Sequence, residues 1–154
     1  MSAYLDRMPA GIPGRVSRAG GATLEPVLLG AAMLFGAPGK IVAGKFVPLE
    51  NGDEAGDIYG FLASSYPTQS DMADLGGGSA PAGTMQSVMR RGYMTVKTAG
   101  SPAKNGPVYV VTATAAGVVG SLAAASGTGL EAIPGCEFQG GADAAGNVEI
   151  SYNI

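Results

Sequence analysis

Met89-Arg90-Arg91-Gly92-Tyr93-Met94-Thr95-Val96-Lys97-Thr98 sets Tyr93, Thr95 and Lys97 against Met94, Val96 and Thr98 in alternation. That two-residue period is the pattern of a strand with one face on a core and the other toward solvent. Working outward, Val108-Tyr-Val-Val-Thr-Ala113 is β-branched and aromatic enough to be a second strand. Asn147 to Ile154 alternates Val148, Ile150, Tyr152 and Ile154 with polar partners and reads as a strand to the final residue. Glu137-Phe138 belongs to a short strand after Pro134-Gly135, and Gly140 to Gly146 turns.

Toward the N-terminus, Lys40 to Val47 and Asp57 to Ala63 flank Glu50-Asn51-Gly52-Asp53. Asn-Gly tolerates positive φ, so the two flanks are predicted to pair as an antiparallel hairpin through it. Leu24 to Phe35 is apolar without a clean period and contains Pro26, which makes it a connector packed on the core. Pro67 to Thr84, with Gly76-Gly77-Gly78 and Pro81, is a long polar excursion of the kind kept for contacts. Ala115 to Gly129 has too many glycines for a stable helix and reads as weak strand and loop. No internal repeat of useful length is visible. Short strands separated by turn chemistry make the fold all-β, as a small barrel or a sandwich.

Residues 1–23 differ in character. Pro9-Ala10-Gly11-Ile12-Pro13-Gly14 followed by Arg15, Arg18 and Gly20-Gly21 fits neither period. Glycine raises the entropic cost of ordering and proline removes backbone donors, so the segment gains little by folding alone. It reads as an extended arm preceding a β domain over residues 24–154. Its apolar Leu5, Met8, Ile12 and Val16 would need cover from another surface, while a plain disordered tail is the competing reading. Asp6 beside Arg7 and prolines at 9 and 13 lack the basic-then-apolar layout of a secretory signal, so no signal-directed export is expected.

Composition narrows the function. The 154 residues contain no histidine, no tryptophan and one cysteine, with 26 glycines and 14% charged residues. Neutral-pH enzymes draw heavily on imidazole for proton transfer and metal ligation, so the chain reads as an adhesive surface and not as an enzyme. Nine basic against twelve acidic residues give a net charge of −3, which argues against nucleic acid or anionic lipid as partner. No apolar run approaches the roughly 18 residues a membrane helix needs. Cys136 alone makes neither a disulfide framework nor a zinc site and reads as a small buried hydrophobe.

Gly76-Gly77-Gly78-Ser79 and Gly20-Gly21-Ala22-Thr23 lack the Lys-Ser or Lys-Thr of a phosphate loop. Asp53, Glu54 and Asp57, and separately Asp71 and Asp74, could be imagined as a carboxylate pair or a calcium site. Solvated turns explain them more simply, so no cofactor, metal or small-molecule substrate is expected. Arg90 and Arg91 are adjacent on a strand and point to opposite faces, which suits an interface or a salt bridge better than one anion-binding patch.

Several strings in order are Gly39-Lys40-Ile41-Val42, Val47-Pro48-Leu49, Ile58 to Leu62, Tyr66-Pro67-Thr68-Gln69, Val88 to Lys97, Gly106 to Val110 and Gly146 to Ile154. Together, over about Met8 to Ile154, the chain resembles the structural cement proteins of tailed bacteriophages. The resemblance implies a head decoration protein on the outer face of a mature icosahedral capsid, bound to the major capsid protein, commonly as trimers. It also implies a β-barrel or tulip-like core with an N-terminal arm ordered on the shell. On that footing Pro9, Ile12, Pro13, Arg15, Val16 and Arg18 are expected to bind the capsid, the arm adding a strand to a capsid edge. Arg90, Arg91 and Tyr93 are expected to make contacts between subunits. Two other classes stay open: another phage β-module, such as a tail or fibre component or a carbohydrate-binding domain, and a carboxylate-based hydrolase. Sugar platforms normally show exposed tryptophan or clustered tyrosine, and the six tyrosines here are scattered.

Overall fold

The computed structural model describes residues 11–64 and 78–154. They form eleven strands and one 3-10 turn: β1 (Thr23–Leu29), β2 (Met33–Leu34), β3 (Pro38–Val42), β4 (Lys45–Pro48), the turn Ala55–Asp57, β5 (Gly60–Leu62), β6 (Ser79–Ala80), β7 (Met85–Ala99), β8 (Pro107–Val111), β9 (Leu122–Ala123), β10 (Leu130–Phe138) and β11 (Asn147–Tyr152). The all-β expectation holds, and the choice between barrel and sandwich falls to the barrel. Strands β1-β4-β3-β5-β7 close on themselves through the β1–β7 pairing, giving a five-stranded barrel. The remaining ladder, β7-β11-β10-β8-β9, returns to β7 through the short parallel pair Thr98↔Leu122 and Ala99↔Ala123.

Strand β7, whose alternation dominates the sequence, is the member common to both rings. Its first half pairs with β1 from Arg91 to Met85 and with β5 at Met89 and Val88. Its second half pairs with β11 from Gly92 to Lys97. The inward residues follow the register: Met94 faces Ile150 and Val96 faces Val148, while Phe138 lies opposite Ile150 on the other side of β11. All five are fully buried. A smaller core of Leu29, Met33, Phe46, Leu62, Ala80 and Val88 fills the barrel. Tyr152 ties the halves together, its ring edge-on to Phe61 at 5.1 Å and its hydroxyl donating to the Ile58 carbonyl at 3.2 Å.

Three local expectations are corrected. The hairpin turn is Ala43-Gly44, not Asn51-Gly52: Lys40 to Val47 is itself the hairpin β3–β4, with Val42 opposite Lys45. Both turn residues have positive φ, 49° and 77°, as a tight two-residue hairpin loop requires, and alanine there is invisible to a search for Asn-Gly. Residues 50–53 do turn, with the Asp53 N–H donating to the Glu50 carbonyl. The Asn51 side chain accepts from the Thr114 N–H, however, so this turn packs on another loop. Strand β5 pairs with β3 at Pro38↔Phe61 and Gly39↔Gly60.

The apolar stretch from Leu24 is a strand and not a connector. Over residues 24–27 it is paired with β7, and β4 joins only at Leu28 and Leu29, so Pro26 sits where an edge tolerates it. Finally, β10 runs through Pro134-Gly135 instead of starting after it. Its register with β8 jumps between Ala132 and Glu137, which absorbs the proline as an irregularity.

Barrel closure demands close backbone approach at Gly60. A Cβ there would lie 2.5 Å from the Met89 carbonyl oxygen and 2.6 Å from a Val88 methyl. Gly56, in the adjoining turn, has nothing within 4 Å of the same position. Gly60→Ala should therefore destabilise the protein by about 1–3 kcal/mol, and Gly56→Ala should leave stability nearly unchanged. Denaturant unfolding of the two variants beside the native chain checks this.

Candidate functional site

The described part of the leading segment does not stand away from the body. Ile12 to Arg15 forms a turn closed by the Arg15 N–H on the Ile12 carbonyl at 3.1 Å, with Pro13 inside it. From there the chain lies along β7: Gly14 N–H donates to Thr95 O at 2.8 Å, Thr95 N–H to Arg15 O at 2.9 Å and Ser17 N–H to Tyr93 O at 3.0 Å. Val16 opposes Met94 as an antiparallel bridge and packs on the main core. Gly14 is what allows this approach. It has φ of 84°, and a Cβ would fall 2.6 Å from that of Phe35.

An ion-pair station fixes the end of this contact. The Arg18 guanidinium donates to both carboxylate oxygens of Glu149, at 3.1 and 2.8 Å, and lies 4.0 Å above the Tyr93 ring centre. Ser17 Oγ donates to the same carboxylate. Tyr93 and Glu149 belong to the outward faces of β7 and β11, and Thr95, the register partner of Glu149, is buried and bonded to the segment through its backbone. Partial burial pushes the Glu149 carboxyl up, but the bonds from Arg18 and Ser17 and the Arg18 charge outweigh it, leaving the group below its ordinary value.

A second station sits on the barrel. Arg90 stacks over Tyr59 at 3.6 Å and reaches Glu25 at 3.4 Å, while Tyr59 donates its hydroxyl to Glu25. That hydroxyl, and then the Arg90 charge, hold the Glu25 carboxyl below its usual range against the opposing effect of desolvation, and the same bond pushes the Tyr59 hydroxyl up. The salt-bridge reading of Arg90 thus fits the structure. Arg91 is exposed and pairs through its backbone with Thr23, at a register shift where β1 meets β7.

Of the residues expected to face partners, Ile12 (61% exposed), Arg15, Arg18 and Arg91 are exposed. Arg15, Val16, Arg18, Tyr93 and Arg90 also make contacts within their own chain, and Pro9 lies outside the described residues. Residues 14–17 hydrogen-bond to β7 of their own chain, with Val16↔Met94 as an isolated bridge. Glu149, Ser17, Glu25 and Tyr59 were not foreseen as site residues. The outward position of Glu149 in the alternation of β11 was a readable signal, whereas Glu25 was hidden in a segment read as a connector.

The clustered carboxylates are structural. Asp53 pairs with Lys40 at 2.7 Å and accepts the Glu50 N–H, and Asp57 accepts the Glu54 N–H across the 3-10 turn. Asp71 and Asp74 lie outside the described residues. Burial pushes the Cys136 thiol far up, which keeps it protonated and unreactive.

Residues 1–153 match a family model described as Structural cement protein (E217 gp24/Pam3 gp6). Among solved structures, the chain is similar to one from "The capsid of Myoviridae Phage XM1", with a TM-score of 0.71 and 22% identity, covering 98% of this chain and 95% of that one. At that identity the likeness speaks to the fold. No curated protein matches the chain.

Because Glu149 titrates lower in the folded protein than in the unfolded chain, its contribution is present above the unfolded value and is lost as pH falls through the folded one. Opening of the Ser17 amide, followed by hydrogen exchange corrected for intrinsic rates, should rise across that acidic window. In Glu149→Gln it should be faster at neutral pH and flat with acidification.

Proposed function

The chain belongs to the structural cement protein family of phages, and from that premise we propose that it binds the outer surface of the mature icosahedral head through the major capsid protein, as trimers, and holds the shell against internal DNA pressure. Its capsid-associated structural role within the virion follows from the family itself. The observation that carries the finer reading is the match over residues 1–153, which takes in the leading segment together with the β body.

The two ion-pair stations support a role built on adhesion. The charged groups of both stations are spent on holding the chain to itself, with the described part of the leading segment laid along β7. A protein that binds only the assembled shell stabilises it by mass action, and repetition over a symmetric lattice multiplies modest contacts. Ile12 and Arg15 are the projecting residues of the segment and are proposed as its direct capsid contacts, with Pro9 and Pro13 limiting the conformations that must be ordered on binding. Val16 and Arg18 act one step behind them by fixing the segment on β7. Arg91, which is exposed, is the residue of the Arg90, Arg91 and Tyr93 set proposed to reach a neighbouring copy, while Arg90 and Tyr93 set the local shape.

Ile12→Asp combined with Arg15→Glu should lower occupancy on purified heads by about tenfold, the size of effect expected from losing central contacts. Deleting residues 1–18 should lower it further. Heads without the protein should rupture earlier on heating or osmotic shock. Unchanged occupancy in both variants would remove the segment from the interface, and equal resistance of decorated and bare heads would overturn the stabilising role. Sedimentation of Arg91→Glu beside the native protein reports whether trimers depend on that position.

A further inference from the structure

Two Asn-Gly steps lie among the described residues, Asn51-Gly52 and Asn105-Gly106, and neither joins two paired strands. Asn-Gly is also the step at which a chain is most open to attack on itself, because glycine places no side chain over the backbone nitrogen.

The fold treats the two carboxamides differently. Asn51 Oδ1 accepts from the Thr114 N–H at 2.9 Å and from the Thr114 hydroxyl at 3.3 Å. The nitrogen that would attack it, that of Gly52, donates its hydrogen to the carbonyl of buried Thr112 at 3.1 Å. Freeing both groups requires the turn at 50–53 to part from the loop at 112–114.

Asn105 is exposed, and its carboxamide makes no hydrogen bond among the described residues. It is the third residue of a turn closed by Gly106 N–H on Ala103 O at 3.0 Å, with a φ of 63° that asparagine tolerates. Ala103 and Lys104 are exposed as well, so the Ala103 carbonyl can swing into solvent and release the Gly106 nitrogen. The bonds that fasten the step to β10, Asn105 N–H to Phe138 O at 2.7 Å and Phe138 N–H to Gly106 O at 2.9 Å, use other peptide groups. An opening confined to an exposed turn costs far less than parting packed elements.

We infer that Asn105 is a site of spontaneous deamidation and that the 112–114 loop protects Asn51. The Gly106 nitrogen bonds to Asn105 Cγ as the Cγ–Nδ2 bond breaks, its proton leaves with the side-chain nitrogen as ammonia, and a succinimide ring remains. Water opens the ring at one carbonyl or the other. One product is aspartate and the other is isoaspartate, which carries an extra main-chain carbon. Both place a negative charge beside Lys104. The isoaspartate also shifts Gly106 relative to the 105 amide and so strains the two bonds that hold buried Phe138. The chemistry belongs to the free protein and does not depend on capsid binding.

Incubating the native protein at mildly alkaline pH and mapping its peptides by mass spectrometry tests the inference. Conversion at Asn105 should outrun conversion at Asn51 by about tenfold, the factor that one hydrogen bond can supply. In urea the two rates should converge, because each asparagine then has only its glycine neighbour. Gly106→Ala should slow conversion at Asn105 and leave Asn51 unchanged. Its Cβ would lie 3.0 Å from Ala103 O, so the comparison of folded and urea-unfolded native protein carries the test if that variant does not fold. Equal rates in the folded protein, faster conversion at Asn51, or no conversion at either would overturn the inference. A preference for Asn105 that persists in urea would trace it to local sequence and not to the fold, and would overturn it too.

Discussion

Strand β7 is hydrogen-bonded into both halves of the molecule, and the rest of the structure depends on that shared membership. Fifteen residues serve first as a stave of the barrel and then as the partner of β11, so neither ring can open without disturbing the other. Tyr152 against Phe61 adds side-chain contact at the same joint. The leading segment then bonds to β7 at Tyr93 to Thr95, within the stretch whose other edge pairs with β11. One strand thereby holds the barrel, the second ring and the turn at Ile12 to Arg15 in a fixed relation.

The electrostatics follow the same economy. Arg18–Glu149 and Arg90–Glu25 each combine a carboxylate with an arginine lying over a tyrosine ring. Such exposed pairs contribute little to global stability. Their value is positional: a planar guanidinium held between a ring and a carboxylate has few alternative geometries. The segment and the β1 register shift are thus held by contacts that remain directional in water.

The strands whose alternation is clean, β7 and β11, were legible because each buries one face, and so was the all-β class. What escaped the sequence did so for identifiable physical reasons. Ala43 adopts a positive φ that its residue type does not advertise, and Asn51-Gly52 advertises a hairpin but serves a loop contact instead. Pro26 and Pro134 read as breaks, yet an incompletely paired strand and a register irregularity accommodate them. At the surface, a salt bridge at Arg90 was readable from its place on the strand, while the internal use of Val16, Arg18 and Tyr93 was not. Their partners Glu149, Glu25 and Tyr59 are distant in sequence, and nothing in local composition announces such pairings.

Closure of the five-stranded barrel bears on how the protein behaves before it finds a partner. Open strand edges invite indiscriminate pairing with other chains. Here the barrel leaves no terminal stave, and residues 14–17 occupy a stretch of β7 that would otherwise be available. Among the described residues the barrel therefore offers no bare backbone edge to another chain, and contact with a neighbour there falls to side chains.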